Sequence, residues 1–241
     1  MNNLQFTIYK KVSTSFIVCC LLFIGANIAH AQSVDILWQG ETYTPPFYQG
    51  RALWSKQSMI TMVAVPQGLG SPSSLIYKWT QDGTVLGNIS GQGRNTLRFE
   101  DSIFSKARTI KVEILSVAEE VLAESQIIVV PTTYLPLVYE DNPLLGYMFH
   151  KEVGNIFNLE EGEVTFSAFP LFSTPALRDG ANLVYRWVTN SGDTETSNSV
   201  TYRAPDGEEG SSQVSLTISN KSKIMADISR SFLVQFGPVR D

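Results

Sequence analysis

Cysteine is almost missing from this 241-residue chain, and so is histidine. The two cysteines, Cys19 and Cys20, stand side by side in an apolar run near the N-terminus, and the two histidines are His30 and His150. Beyond residue 31 the sequence therefore offers no thiolate nucleophile, no disulfide and no cysteine-ligated metal, and only one imidazole. A Ser-His-Asp triad would have to be built on His150 in GYMFHKEVGN, and no G-x-S-x-G elbow accompanies it. The glycine-rich QGLGS (67–71) lies between strand-like runs, with neither the lysine nor the helix of a phosphate loop. A basic surplus is lacking as well: Lys and Arg number 18 against 23 Asp and Glu. Such a surface is a poor match for nucleic acid or anionic lipid, since both select basic patches, and no nucleic-acid partner is expected.

One long apolar run is present, and it is N-terminal. Lys10 and Lys11 precede FIVCCLLFI (16–24), and Ala29-His30-Ala31 offers small residues where a signal peptidase reads. This is the three-part pattern of a secretory signal over residues 1–31, with Gln32 beginning the mature chain. The alternative is an uncleaved anchor, although the run falls short of the ~20 residues of a comfortable span. No second run of that kind follows, so no membrane helix is expected after cleavage. Lys10 and Lys11 are the segment's only charged side chains, leaving 16 basic and 23 acidic groups in the remainder. Without disulfides, domains of about 100 residues must stand on hydrophobic burial, which favours a bacterial exported protein. The expected location is extracellular or in the cell envelope.

The remainder is written twice. LIYKW (75–79) returns as LVYRW (183–187), offset by 108 residues. Ile60, Met62 and Ala64 alternate up to Pro66, as Val164, Phe166 and Ala168 do up to Pro170. Ile110, Val112 and Ile114 match Val214, Leu216 and Ile218, and each half closes in a strand-like run into proline, Pro131 or Pro238. Short β-branched or aromatic runs of period two, separated by Gly, Pro, Asn and Asp, are half-buried strands. The fold class is therefore all-β: two tandem sandwiches, at 32–131 and 132–241, joined at Pro131-Thr132-Thr133-Tyr134.

The segments YKWTQDG (77–83) and YRWVTNSG (185–192) place a tryptophan two residues after a tyrosine and just before a polar turn. In this they resemble bacterial immunoglobulin-like and polycystic-kidney-disease-type (PKD-like) repeat domains. The cysteine pair of true immunoglobulin domains and the full W-x-F-G-D-G signature of PKD domains are missing. As a whole the chain resembles two-domain exported proteins of small-genome bacteria. The resemblance implies a spacer, adhesin or assembly module at a cell surface, with a protein or glycan partner.

Leu75, Tyr77 and Trp79 share one strand face, as do Leu183, Tyr185 and Trp187. The rings are either sugar-stacking platforms or core; a leucine on the same face favours core. Acidic groups gather at Glu140-Asp141, at Glu160, Glu161 and Glu163, and at Asp206, Glu208 and Glu209. They are the only route to a carboxylate hydrolase or a calcium site, and no D-x-[DN]-x-[DN]-G loop is present. No catalytic residue, metal ligand or cofactor site is assigned. The distinctive unrepeated segment is ETYTPPFYQGRALW (41–54), where Pro45 and Pro46 favour an extended path among Tyr43, Phe47, Tyr48 and Trp54. It is either a crossing between sheets or a partner-contact surface. The expected function is non-enzymatic structure or recognition, with a carbohydrate-binding module as the alternative.

Overall fold

A computed structural model describes residues 32–160, 162–174, 176–189, 192 and 194–237. The signal-like segment, Glu161, the first two residues of the NSG turn and Pro238 lie outside them. The chain begins with β1 (Ser33–Gly40), β2 (Met59–Gln67), β3 (Ile76–Gln81) and β4 (Thr84–Val85). Then follow β5 (Gly91–Gln92), β6 (Thr96–Glu100), β7 (Arg108–Leu115) and β8 (Val121–Val129). These form two facing sheets, β1-β2-β6 and β4-β3-β7-β8, with β5 beside β3.

The second half supplies β9 (Leu135–Asn142), β10 (Gly146–Glu152), β11 (Ile156–Asn158), β12 (Glu163–Leu171) and β13 (Leu183–Val188). It ends with β14 (Thr194–Glu195), β15 (Ser199–Arg203), β16 (Gly210–Asn220) and β17 (Ile228–Phe236). Its sheets are β10-β9-β12-β15 and β11-β17-β16-β13-β14. With the extra strands set aside, both halves pair first, second and fifth strands on one sheet and third, sixth and seventh on the other. That is the immunoglobulin-like order. The fold is all-β, two tandem sandwiches of this kind.

The repeated phrase forms β3 and β13 with the same register. Trp79 stands opposite Val112 and Trp187 opposite Leu216, while Tyr77 and Tyr185 face Ile114 and Ile218. Both tryptophans are fully inaccessible to solvent, and each rests in its own hydrophobic cluster. A buried indole must discharge its N–H. Trp79 Nε1 donates to the Arg94 carbonyl (2.9 Å) and Trp187 Nε1 to that of Ser197 (3.0 Å). The tyrosine hydroxyls reach upstream carbonyls, Pro72 at 3.2 Å and Arg178 at 2.7 Å. Neither tryptophan offers a face to a sugar.

Pro66 and Pro170 do not end their strands: β2 and β12 run through them. Two residues earlier, Ala64 and Ala168 donate N–H to Asn95 and Asn198, just before β6 and β15. The prolines point to that same side, past the start of the neighbouring strand, so their missing donors cost no ladder bond. QDG becomes a two-residue hairpin turn, with Asp82 at φ 50° and Gly83 at φ 82°. SVAEEVLAES turns between β7 and β8, where Ser116 Oγ accepts N–H bonds from Ala118 and Glu120.

Arg108 ties this end of the first sandwich together. It bonds both oxygens of Asp101 (2.9 and 3.1 Å) and reaches Asp82 (2.9 Å). The Thr109 N–H and Arg108 hold the Asp82 carboxyl below its ordinary value. Burial pushes Asp101 up, but the Arg108 and Ser102 hydrogen bonds outweigh it, and its value is lowered too. Carboxylates with depressed folded-state values contribute stability above their unfolded value of ~3.9, and lose it as pH falls through the folded value. Arg108→Ala should therefore lower the denaturant midpoint at pH 7, and the gap from wild type should narrow below about pH 4. A gap independent of pH would remove the ionic account.

Trp79→Ala should destabilise the first sandwich by ~3–5 kcal/mol, read by chemical denaturation. Full retention of stability would contradict its place in the core.

Candidate functional site

The segment after β1 leaves one sheet, crosses the end of the sandwich and meets the other. Gly40 opens it; a Cβ there would lie 2.5 Å from the Leu53 carbonyl oxygen, so no larger residue fits. Gly40 N–H bonds to Ala52 (2.7 Å) and Thr42 Oγ1 to Leu53 (2.8 Å), closing the segment's base. Trp54 then enters the first core, packs edge-on to Phe99 at 5.8 Å and donates Nε1–H to Ser58 (3.1 Å). It is 0% exposed, which corrects its assignment to a contact surface: the crossing must fill the open end of the sandwich, and this ring does so. Ser55 pairs with Thr132 in a parallel bridge, and Thr132 N–H reaches the Trp54 carbonyl (2.7 Å). In the second sandwich the crossing instead returns as β10 and then adds β11 parallel to β17.

The proline pair does not run extended. Pro46 occupies the first corner of a turn closed by Tyr48 N–H to Pro45 (3.0 Å), a position its fixed φ suits. The turn throws Phe47 onto the outer face of the second sandwich. There Phe47 meets Tyr139 (5.2 Å between ring centroids), Phe149 (4.3 Å) and Phe169 (6.4 Å). Tyr43, Tyr139 and Phe169 form a separate buried cluster of their own. Backbone bonds fix the contact: Tyr43 N–H donates to Ser173 (2.8 Å), and Phe172 N–H to Tyr43 (2.7 Å). Tyr48 meets Phe172 edge-on at 5.6 Å. Arg178 borders the seam, 4.2 Å above the Phe169 ring, with Nε on Ala168 (2.8 Å). Burial pushes the Tyr43 phenol above its usual value, with Arg178 opposing the shift. Tyr139 is raised by burial as well.

A second set of contacts closes the opposite side. Gln57 Nε2 donates to Ile224 (2.7 Å), whose N–H returns to Gln57 Oε1 (3.2 Å). Lys223 pairs with Glu100, and Tyr134 Oη donates to Lys56 (2.7 Å). A cavity of about 390 Å³ lies beside this clasp, lined among others by Gln57, Phe104, Tyr134 and Met225.

Of the expected surface residues, then, Tyr43, Phe47 and Tyr48 contact the second sandwich, Pro45 is buried and Pro46 remains exposed. The partner residues Tyr139, Phe149, Phe169 and Phe172 escaped the sequence reading. Their signal was there: LPLVYE and FSAFPLF lack the polar alternation of a one-sided strand, and a strand without it is covered on both faces.

The acidic candidates separate. Glu140, Asp141, Glu160 and Glu163 line an open groove of about 350 Å³ together with His150. Glu163 pairs with Arg203 (2.7 Å), and Glu140 accepts from Asn142 (3.1 Å). Asp206, Glu208 and Glu209 sit between β15 and β16, away from that lining. Among the described residues no group of three His, Cys, Asp or Glu is arranged to hold a metal ion. Nor is any helix among them long and apolar enough to cross a membrane.

No family model and no curated protein matches the chain. Solved structures do. Three N-terminal domains of the highly immunogenic outer capsid protein of bacteriophage RB49 align at 20% identity and TM-score 0.44, over 85% of this chain and 59% of that one. This chain thus spans about three-fifths of that structure's length. Fibronectin(III)-like modules of Clostridium thermocellum CbhA align at 12% and 0.28, covering 83% and 93%. A Bacteroides ovatus glucan-utilisation protein, SGBP-B, solved with a mixed-linkage heptasaccharide, aligns at 11% and 0.24, covering 83% and 70%.

Phe47→Ala should leave both sandwiches folded while loosening their relative orientation, removing about 1.5–3 kcal/mol of coupling at most. Small-angle scattering should show a broader distance distribution with unchanged strand content. An identical profile would mean the seam does not set the orientation.

Proposed function

We propose that the chain is an exported, non-enzymatic spacer or recognition protein of the bacterial cell surface, whose folding units at 32–131 and 132–241 work as one rigid body. The observation that carries this reading is the doubly fastened junction: an aromatic seam on one side and the Gln57–Ile224 clasp on the other. A flexible tether would need neither. Fixed orientation serves a protein that holds loops at a set distance and angle from its anchor, where binding works by complementarity with a preorganised scaffold. Export is inferred from residues 10–31, and the absence of cysteine beyond them fits a fold that stands on burial alone. Of the four candidate acids that line the groove, Glu163 is paired with Arg203 and Glu140 accepts from Asn142, which leaves Asp141 and Glu160 as the pair a hydrolase would have to use. A carbohydrate platform would have to use rings other than Trp54, Trp79 and Trp187, all fully buried.

The test is fractionation of cells making the full chain with a C-terminal tag. The expected result is a processed product, beginning at Gln32, in the envelope or medium and open to added protease. An unprocessed cytoplasmic product would overturn the reading.

A further inference from the structure

On the clasp side of the junction two large apolar side chains are held out in water. Phe104 is 83% exposed and Met225 87%. Neither sits on a slack loop. The turn that carries Phe104 is fastened at Ser102, whose Oγ accepts the Phe104 N–H (3.2 Å) and whose carbonyl accepts the Ser105 N–H (3.1 Å). Asp101 accepts the Ser102 N–H (2.8 Å), and Arg108 grips Asp101 in turn. Met225 keeps a left-handed φ of 52° directly after Ile224, which Gln57 holds at both its N–H and its carbonyl. Apolar groups fixed in advance favour binding, because little ordering remains to be done.

Both side chains line the cavity of about 390 Å³ beside the clasp, and Ile103 and Ile228 continue its apolar wall. That volume lies within the ~300–1,000 Å³ of small-ligand sites, which favour domain junctions. The rest of the lining carries charge. Lys56 comes from the first sandwich and Asp227 from the second, and both are exposed. Nearby, Lys223 and Glu100 form an ion pair. The side chains of Lys56 and Asp227 pair neither with each other nor with any other described residue. Tyr134 lines the same cavity, and burial pushes its phenol above the usual value, so it adds no competing charge. A free ammonium and a free carboxylate beside an apolar wall match a ligand with an apolar body and one charge of each sign.

We infer that this cavity binds a short apolar peptide with both ends free, its carboxylate on Lys56, its ammonium on Asp227 and its side chains against Phe104 and Met225. Each sandwich supplies one charge and part of the apolar wall, so the bound peptide bridges the two and tightens the clasp. A single apolar amino acid carries the same groups closer together and is the other source of this chemistry. The inference rests on the cavity, goes beyond the surface role proposed above and stands whether or not the chain is exported.

Titration of the purified chain followed by nuclear magnetic resonance tests it, with leucylphenylalanine, its N-acetyl form, its C-terminal amide and free leucine as probes. The dipeptide should bind more tightly than leucine. Blocking either end should weaken binding at least about threefold, the scale of an exposed ion pair. Lys56→Ala should erase the penalty for the amide and keep that for the acetyl group, and Asp227→Asn should do the reverse. Both positions are exposed, so melting temperatures should match wild type; if either variant melts early, the blocked peptides probe the same contacts in the unaltered protein. No binding up to about 10 mM dipeptide, leucine binding more tightly than the dipeptide, equal binding of free and blocked peptides, or variants that keep both penalties would each overturn the proposal.

Discussion

Phe47 lies against three rings of the following sandwich, and the architecture of the second half is arranged to receive it. An ordinary sandwich strand alternates between core and water. β12 cannot, because Phe166 and Ala168 face the second core while Ser167 and Phe169 face the seam. β9 divides in the same way, with Val138 inward and Leu137 and Tyr139 outward. The outer sheet of the second sandwich is thus an interior layer, and edge-on ring contacts of this kind add ~0.5–1.5 kcal/mol each beyond the area they bury.

The junction is also where the backbone is strained. Among the described residues, five non-glycine residues have left-handed φ angles: Gln57, Asp82, Glu119, Phe172 and Met225. Asp82 and Glu119 lie in hairpin turns, where such angles are ordinary. The other three belong to the two junction contacts. Gln57 makes the clasp to Ile224, Met225 follows Ile224, and Phe172 receives Tyr48 and Tyr43. Strain of ~1–3 kcal/mol at each is retained only where the surroundings over-determine it. Here they do, since each strained residue or its neighbour is hydrogen-bonded across the junction.

What was legible in the sequence followed from local periodicity. Period-two runs, repeated prolines and the doubled L-[IV]-Y-[KR]-W phrase marked strands, register and the inward face, because alternation and burial are properties of one strand and its neighbours. What the segment 41–54 touches was not legible in the same way. Tyr43, Phe47 and Trp54 look alike as aromatic residues around two prolines, yet one fills the first core and two reach the next sandwich. That choice depends on where Pro46 turns the chain and on the sheet that happens to lie beyond it, about a hundred residues away in sequence. The acidic clusters were ambiguous for a related reason: charge in a loop is compatible with solubility or with ligation, and the partners that Glu163 and Glu140 find, Arg203 and Asn142, are not written beside them as a motif.

The seam joins residues made early to residues made late. Tyr43 and Phe47 leave the ribosome long before Phe169 and Phe172 exist to cover them, and chains fold from the N-terminus as they appear. The first sandwich can complete its own core around Trp54 and Trp79 at once, but its crossing loop must wait with two aromatic rings in water. Until the second sandwich closes, the chain is a folded half with an adhesive end, and its most vulnerable interval falls between the completion of β8 and the pairing of β9 with β12.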